Sequence, residues 1–162
     1  MKLHGKVIKY GGDVNTDVII PSKYLAYTHP RDLAKYAMEG IDPSFTKKIK
    51  DRQIVVAARN FGCGSSREQA PIALKYSGVK AIIAESFARI FYRNAVNIGL
   101  PVLECPEVSK IVEDGDEIEA DLGTGILRDV TKGKTLQGNP TPEFLLKIME
   151  KGLVQYIREA RK

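Results

Sequence analysis

A glycine-rich stretch at residues 60–68 carries the residue types best suited to chemistry, because it places two glycines, two serines and an arginine close together. An apolar run at 53–58 precedes it and a helix-like segment at 69–77 follows it. This order predicts a strand, a tight turn and the N-terminus of a helix. Backbone N–H groups and the positive end of the helix dipole meet at such a junction and favour anions. We expect the stretch to bind a substrate that carries a carboxylate.

Ser65 has a structural interpretation beside the chemical one. Ser65 followed by Glu68 fits a capping box, in which the serine oxygen accepts from a backbone N–H and the glutamate reaches back. A cap requires neither Gly62-x-Gly64 nor an arginine in the first turn, where the helix dipole disfavours cations. Arg67 therefore suggests a bidentate anion ligand. The spacing of a phosphate-binding P-loop is absent.

Composition narrows the class of protein. A chain of 162 residues with 43% hydrophobic and 28% charged residues is sufficient for one globular domain. No apolar run approaches the roughly 18 residues of a membrane span, and the first residues lack an apolar signal core, so we expect a cytoplasmic protein. The net charge of +5 suits anionic metabolites or an acidic partner. Nucleic acid is less favoured, since no nucleic-acid motif is present.

The few soft metal ligands are scattered along the chain. The two cysteines, Cys63 and Cys105, lie far apart, and so do the two histidines, His4 and His29. Two cysteines cannot supply the three or four thiolates of an iron–sulfur cluster or of a cysteine-rich zinc site. If this protein works with a metal, we expect most of the ligands to come from elsewhere.

Hydrophobic patterning predicts an α/β architecture. Residues 53–104 alternate strand and helix, which favours parallel strands with right-handed crossovers. The segments after residue 115 are short and alternating, which is typical of antiparallel hairpins. The predicted strands are 6–10, 53–58, 79–84, 101–104, 116–122, 125–130 and 134–136. The predicted helices are 31–39, 43–50, 69–77, 86–98, 141–149 and 153–157.

Three motifs in this order resemble the swivelling domain of the aconitase superfamily, and specifically the small subunits of 3-isopropylmalate dehydratase. They are GDVNTDVIIP at 12–21, NFGCGSSRE at 60–68, and AESFARIFYRN at 84–94 followed by NIGLP at 97–101. The resemblance runs almost end to end and implies a single domain over 1–162. The implied fold is α/β, a swivelling β/β/α three-layer domain with a mainly parallel central sheet and a smaller antiparallel sheet.

The resemblance also implies an activity and a partner. The family isomerises 2- and 3-isopropylmalate by dehydration and rehydration in leucine biosynthesis. A [4Fe–4S] cluster lies in the large subunit, so this chain binds no cofactor and is active only in the complex. The residue that matches the family's base is Ser65, while Ser66 and Arg67 match its carboxylate ligands. Asp17 matches a residue that orders the active-site loop.

A second loop, at 22–30, is implied to select the substrate through Leu25, Ala26 and Tyr27. Relatives that act on longer tricarboxylic acids carry arginine at the position of Ala26. Alanine leaves an incoming carboxylate unpaired but buries an isopropyl group favourably. The alternatives are the small subunit of homoaconitase or of a methylmalate or citraconate hydratase, and, in another class, a non-catalytic anion- or RNA-binding protein. Arg89 and Arg93 lie one helical turn apart. Two interpretations stay open: the pair faces the substrate or the partner, or, as we favour, it is solvated or ion-paired.

Overall fold

A computed structural model describes all residues, Met1–Lys162. The strands are β1 (Lys2–Lys9), β2 (Ile54–Ala57), β3 (Ala81–Ala84), β4 (Val102–Glu104), β5 (Glu117–Asp121), β6 (Ile126–Asp129) and β7 (Lys134–Gln137). The helices are α1 (Thr16–Ile19), α2 (Pro30–Ala34), α3 (Phe45–Lys48), α4 (Gln69–Ser77), α5 (Arg89–Asn97), α6 (Val108–Ile111), α7 (Glu143–Lys151) and α8 (Leu153–Ala160), with one 3₁₀ turn at Ser22–Tyr24. None of the helices combines the length and the apolar character that crossing a membrane requires.

The strands form one seven-stranded sheet in the order β4-β3-β2-β1-β5-β6-β7. The four strands from β4 to β1 are parallel, and β1, β5, β6 and β7 pair antiparallel. Every residue of β2 and β3 is buried, as expected for parallel strands covered on both faces. In β5 and β6 buried and more exposed residues alternate, so one face of the antiparallel part is solvated. The predicted fold class is confirmed.

The first strand joins the two parts of the sheet. Lys2–Lys6 pairs antiparallel with β5, and Val7–Lys9 pairs parallel with β2. The sequence predicts only residues 6–10 as strand, because 2–5 have no clear apolar alternation of their own. Pairing with a segment more than a hundred residues away extends the strand to Lys2.

The other differences also have tertiary causes. The predicted helix 31–39 ends at Ala34, because Met38 adopts a positive φ of 62° and its N–H donates to the carbonyl of Ile19. The predicted helix 86–98 begins only at Arg89, since the backbone of 86–88 is paired with the glycine-rich stretch. A core cluster of 38 buried residues packs between sheet and helices. Within the helical layer α4 contacts α2 and α5, and α5 contacts α7.

Candidate functional site

One side of the glycine-rich loop, residues 60–67, is bound by the segment that leads into α1. The N–H of Gly62 donates to the carbonyl of Val14 at 2.7 Å, and the N–H of Thr16 donates to the carbonyl of Cys63 at 2.9 Å. These bonds fix the path of the loop backbone through its most conformationally demanding turns. The first and second sequence motifs are therefore neighbours in the fold.

The other side of the loop is bound by the segment that leads into α5. The N–H of Phe61 donates to the carbonyl of Ser86 at 3.1 Å, and the N–H of Ala88 donates back to the carbonyl of Phe61 at 2.9 Å. The N–H of Asn60 donates to the hydroxyl oxygen of Ser86 at 2.9 Å. The third motif thus completes a frame in which the loop lies between two short extended segments.

Gly62 allows the loop to lie directly on α5. Its φ is +82°, and a Cβ at this position would overlap the ring of Phe91. Phe61 and Phe87 meet the same ring, with centroid distances of 5.2 Å and 6.3 Å. Only a residue without a side chain fits this backbone conformation against this ring.

The capping-box interpretation of Ser65 is wrong. Helix α4 begins at Gln69, its N-cap residue is Glu68, and no side chain caps it. Ser65 precedes the N-cap residue by three positions, and its carbonyl accepts from the N–H of Arg67 at 2.8 Å. Ser65 is exposed and its hydroxyl is not consumed by a cap. Arg67 likewise precedes the helix and does not lie in its first turn.

An open cleft of about 490 Å³ lies between the loop and α5. Ser65, Ser66 and Arg67 line it from the loop side, and Thr16 lies beside them. The opposite wall is the stretch from Ala88 to Asn94. No aspartate or glutamate belongs to the lining, which carries the guanidinium groups of Arg67, Arg89 and Arg93. Such a cleft favours anions.

Arg67 is held in place by the segment around α1. Its side chain is only 15% exposed, and Nη1 forms an ion pair with the carboxylate of Asp17. The same nitrogen donates to the carbonyl of Ile20 at 3.1 Å. The structure therefore brings together the predicted residues Ser65, Ser66, Arg67 and Asp17. Two contacts on one nitrogen fix the guanidinium plane and leave its other donors for a ligand.

Arg89 and Arg93 also line the cleft, a placement that the sequence allows but that we did not favour from the sequence. Both are exposed. The ion pairs of the protein all involve other residues, so the ion-paired interpretation is wrong and the solvated one holds. No local pattern in the sequence shows that α5 lies against the glycine-rich loop, so only the tertiary structure reveals that these arginines line the cleft.

The residues predicted to select the substrate lie outside the lining of this cleft. Leu25 packs on the core, Ala26 is exposed, and Tyr27 is 42% exposed. Tyr27 stacks on Tyr36 at a centroid distance of 5.7 Å, and Tyr36 stacks in turn on Tyr24 at 3.9 Å. Arg67 binds the carbonyl of Ile20, and Ile20 precedes this loop by only a few residues. The loop and the cleft are therefore linked through a short piece of chain.

Neither cysteine has the lowered thiol pKa of a reactive thiolate. Burial, with a contribution from the charge of Asp13, raises the pKa of the Cys63 thiol, and burial raises that of Cys105. Both thiols are free, and Cys105 is fully buried. No group of three or more His, Cys, Asp or Glu side chains is placed to hold a metal ion. The residues of this chain do not fit an iron–sulfur cluster site.

Comparison with known proteins connects this geometry to one family. Residues 15–108 match the family model of the aconitase C-terminal domain. The chain is 53% identical over 161 residues to the 3-isopropylmalate dehydratase small subunit of Ruminiclostridium cellulolyticum, covering 99% of both chains. It is 53% identical over 163 residues to the 2,3-dimethylmalate dehydratase small subunit of Eubacterium barkeri, covering 100% of both.

A solved structure has the same fold. The crystal structure of 3-isopropylmalate dehydratase (leuD) from Methanocaldococcus jannaschii superimposes with a TM-score of 0.92 at 46% identity. The match covers 99% of this chain and 96% of that one. All three sequence motifs therefore fall within a shared backbone.

Proposed function

Because this chain belongs to the aconitase C-terminal domain family, we propose that it is the small subunit of a hydro-lyase that isomerises 2- and 3-isopropylmalate in leucine biosynthesis. The observation that carries the proposal is the cleft in which the exposed hydroxyl of Ser65 lies beside Arg67 with no acidic residue in the lining. A free hydroxyl in a cationic cleft suits proton abstraction next to a carboxylate.

In the proposed reaction Ser65 is the base. Its oxygen takes the proton from the carbon α to a carboxylate, the C–H electron pair forms a carbon–carbon double bond, and hydroxide leaves the neighbouring carbon. Water then adds to the double bond in the other direction, so that the hydrogen and the hydroxyl have exchanged carbons. A serine hydroxyl is a weak base at neutral pH, and it needs nearby positive charge to stabilise the alkoxide. The guanidinium groups that line the cleft supply that charge.

Ser66 and Arg67 are the proposed ligands of the substrate carboxylate. Arg67 has one nitrogen committed to Asp17 and to the carbonyl of Ile20, which orients the rest of the fork. A guanidinium held in this way loses little rotamer freedom when it binds an anion. Asp17 is thus a positioning residue, since its exposed carboxylate acts through Arg67.

The proposal includes a partner, because this chain lacks the ligands for a cluster. The [4Fe–4S] cluster belongs to the partner large subunit, and the two subunits assemble as a hetero-oligomer that works in the cytoplasm. Free thiols at both cysteines agree with a reducing compartment.

For the substrate we propose a malate with an apolar substituent, selected through Leu25, Ala26 and Tyr27. A third carboxylate at Ala26 would lose hydration without gaining a partner, whereas a buried alkyl group gains about 0.8 kcal/mol per CH₂. This disfavours the homoaconitase alternative. The 2,3-dimethylmalate dehydratase relative favours one second candidate, a dehydratase of smaller alkylmalates. The similarity to named enzyme subunits favours a catalytic role over the RNA-binding alternative.

The test is Ser65→Ala in the complex with the cognate large subunit. Loss of a general base lowers kcat by about 10²- to 10⁴-fold, while assembly and substrate binding persist. Ser44→Ala is the matched control, because Ser44 is also exposed and does not line the cleft. Turnover by Ser65→Ala within a factor of two of the wild type would exclude Ser65 as the base.

A further inference from the structure

We propose that Tyr36, which lies outside the loop at 22–30, is a positioning residue for the selection of the substrate. Its ring holds Tyr27 in place and thereby sets how closely the loop surrounds the alkyl substituent of the acid. This inference rests on the proposed function and deepens it, because it extends the control of substrate choice beyond the loop. Tyr36 acts through Tyr27 and is not itself a ligand of the substrate.

Three stacked rings form what we call the tyrosine cluster, which consists of Tyr24, Tyr27 and Tyr36. Tyr36 stacks on Tyr24 with a centroid distance of 3.9 Å and an angle of 4° between the ring planes. It stacks on Tyr27 at 5.7 Å and 18°. The rings of Tyr24 and Tyr27 are further apart, at 6.4 Å. Tyr36 is therefore the member that the two closest pairs share.

The backbone of residues 22–28 makes only short-range hydrogen bonds. The N–H of Tyr27 donates to the carbonyl of Tyr24 at 3.1 Å, and the other backbone bonds of this segment also span three residues. Leu25 packs on the core, as do Tyr24 and Tyr36, but Tyr27 is 42% exposed and is not among the side chains that pack there. The stacked rings are therefore the contacts that hold Tyr27.

Tyr36 itself lies on an anchored segment. Two residues later, the fully buried Met38 donates its N–H to the carbonyl of Ile19 at 2.7 Å. Ile19 is the last residue of α1, and the same helix carries Asp17, which forms the ion pair with Arg67. The helix that orients the guanidinium in the cleft thus also fixes the segment that carries Tyr36.

A second contact joins the tyrosine cluster to the same segment. The hydroxyl of Tyr24 donates to Oε1 of Glu39 at 2.6 Å, and Glu39 lies only three residues after Tyr36. A stacked ring pair or a hydrogen bond favours the held position by about two- to twelvefold. Together these contacts favour one position of the loop over the alternatives that its short-range backbone bonds would allow.

The competing explanation is that the exposed Tyr27 contacts the large subunit and that the tyrosine cluster serves docking. The possible roles differ in what they change. A residue that positions the selecting loop changes the ratio of kcat/KM between two substrates. A docking residue changes the affinity between the subunits. A tyrosine that serves only the fold lowers stability and leaves the ratio as it is.

The experiment measures kcat/KM for isopropylmalate and for methylmalate in the complex with the cognate large subunit. Tyr36→Leu removes the stacked ring but keeps apolar bulk, Tyr36→Met is a second variant of the same kind, and Tyr36→Phe keeps the ring. The matched control is Tyr76→Leu, because Tyr76 is an exposed tyrosine of α4 that stacks on no other ring. Subunit affinity is measured by sedimentation, and amide hydrogen exchange of the same complexes reports on the loop.

We expect Tyr36→Leu and Tyr36→Met to lower the preference for isopropylmalate over methylmalate by about fivefold or more, because a loosened loop loses contact with the larger substituent first. Amide exchange at residues 24–27 should rise by about two- to twelvefold. Tyr36→Phe and Tyr76→Leu should keep the wild-type preference. In a Tyr27→Leu background, Tyr36→Leu should lower the preference no further, since Tyr36 acts through Tyr27.

Three results would overturn the inference. An unchanged ratio, or an equal loss of kcat/KM for both substrates, would show that Tyr36 serves the fold alone. A fall in subunit affinity at an unchanged ratio would assign the tyrosine cluster to docking. Additive effects of Tyr27→Leu and Tyr36→Leu on the ratio would show that Tyr36 does not act through Tyr27.

Each of these three results leaves the proposed function intact, because the wild-type complex remains active. A wild-type complex that acts on no alkylmalate would instead overturn the proposed function and this inference with it.

Discussion

The hydroxyl of Thr16 donates a hydrogen bond to the backbone carbonyl of Ser65 at 2.9 Å. Thr16 is only 2% exposed, and its own N–H binds the carbonyl of Cys63 two residues earlier in the loop. Through Thr16, the first motif therefore holds the backbone of Ser65, the proposed base, and leaves the Ser65 hydroxyl free.

Thr16→Val should lower kcat and should also lower the stability of the fold. Loss of the hydroxyl leaves the Ser65 carbonyl without this donor and costs about 1–2 kcal/mol of folding free energy. A shift of Ser65 by a fraction of an ångström should reduce kcat by about tenfold or more, since proton transfer depends on geometry. Thr16→Ser keeps the donor and should retain most of the activity. Equal kcat in the valine variant and the wild type would show that this bond does not position the base.

Gly62→Ala should destabilise the protein far more than Gly133→Ala. Both glycines have positive φ, +82° and +69°, but a Cβ at 62 would overlap Phe91, whereas a Cβ at 133 meets nothing within 4 Å. The alanine at 133 therefore pays only the left-handed backbone strain, about 1 kcal/mol. The alanine at 62 also has to displace a buried ring, which adds about 1–3 kcal/mol. Urea unfolding of both variants measures the difference in the free energy of unfolding. Similar losses for the two variants would show that the contact with Phe91 does not restrict position 62 to glycine.

Asp129→Asn should stabilise the protein relative to the wild type as the pH rises. Asp129 is fully buried, and no donor reaches its Oδ2. Burial, followed by a hydrogen bond shared with Asp116, raises the pKa of Asp129. Burial also disfavours the charge of Asp116, but hydrogen bonds from the Glu113 N–H, Asp129 and Lys132 hold its pKa below the usual value.

The direction in which stability changes with pH follows from the raised pKa of Asp129. Its contribution to stability is complete below the ordinary aspartate pKa and is lost as the pH rises through the higher pKa of the folded state. Asparagine resembles the protonated acid and does not titrate. We therefore expect near-equal urea midpoints in buffer below the ordinary aspartate pKa and a higher midpoint for the variant at neutral pH. Asp51→Asn, at an exposed site, is the control, and parallel pH profiles for Asp129→Asn and the wild type would refute the raised pKa of Asp129.

Ala26→Arg should change which acid the assembled enzyme prefers. A guanidinium at this exposed position supplies the partner that a third carboxylate lacks, so kcat/KM for a homoaconitate-type substrate should rise at least tenfold relative to isopropylmalate. Ala160→Arg places the same side chain at an exposed site of α8 and should leave the ratio unchanged. If both variants keep the wild-type ratio, the loop at 22–30 does not select the substrate.

The sequence predicts the parallel part of the fold well, because buried strands such as β2 and β3 are apolar at every residue and are separated by clear helices. The three motifs also identify the loop that lines the cleft. Local patterns fail where a distant segment competes for backbone groups. The start of α5, the length of β1 and the free hydroxyl of Ser65 all depend on such long-range pairing.

The divided pairing of β1 has a consequence for how the chain folds during synthesis. Val7 can pair with Ile54 as soon as the first third of the protein has emerged, but Lys2 pairs with Asp121. The first residues to leave the ribosome must therefore wait for a strand made much later, and contacts so distant in sequence slow folding. Until then the outer edge of β1 is an unpaired strand edge, the kind of surface that chaperones protect from aggregation.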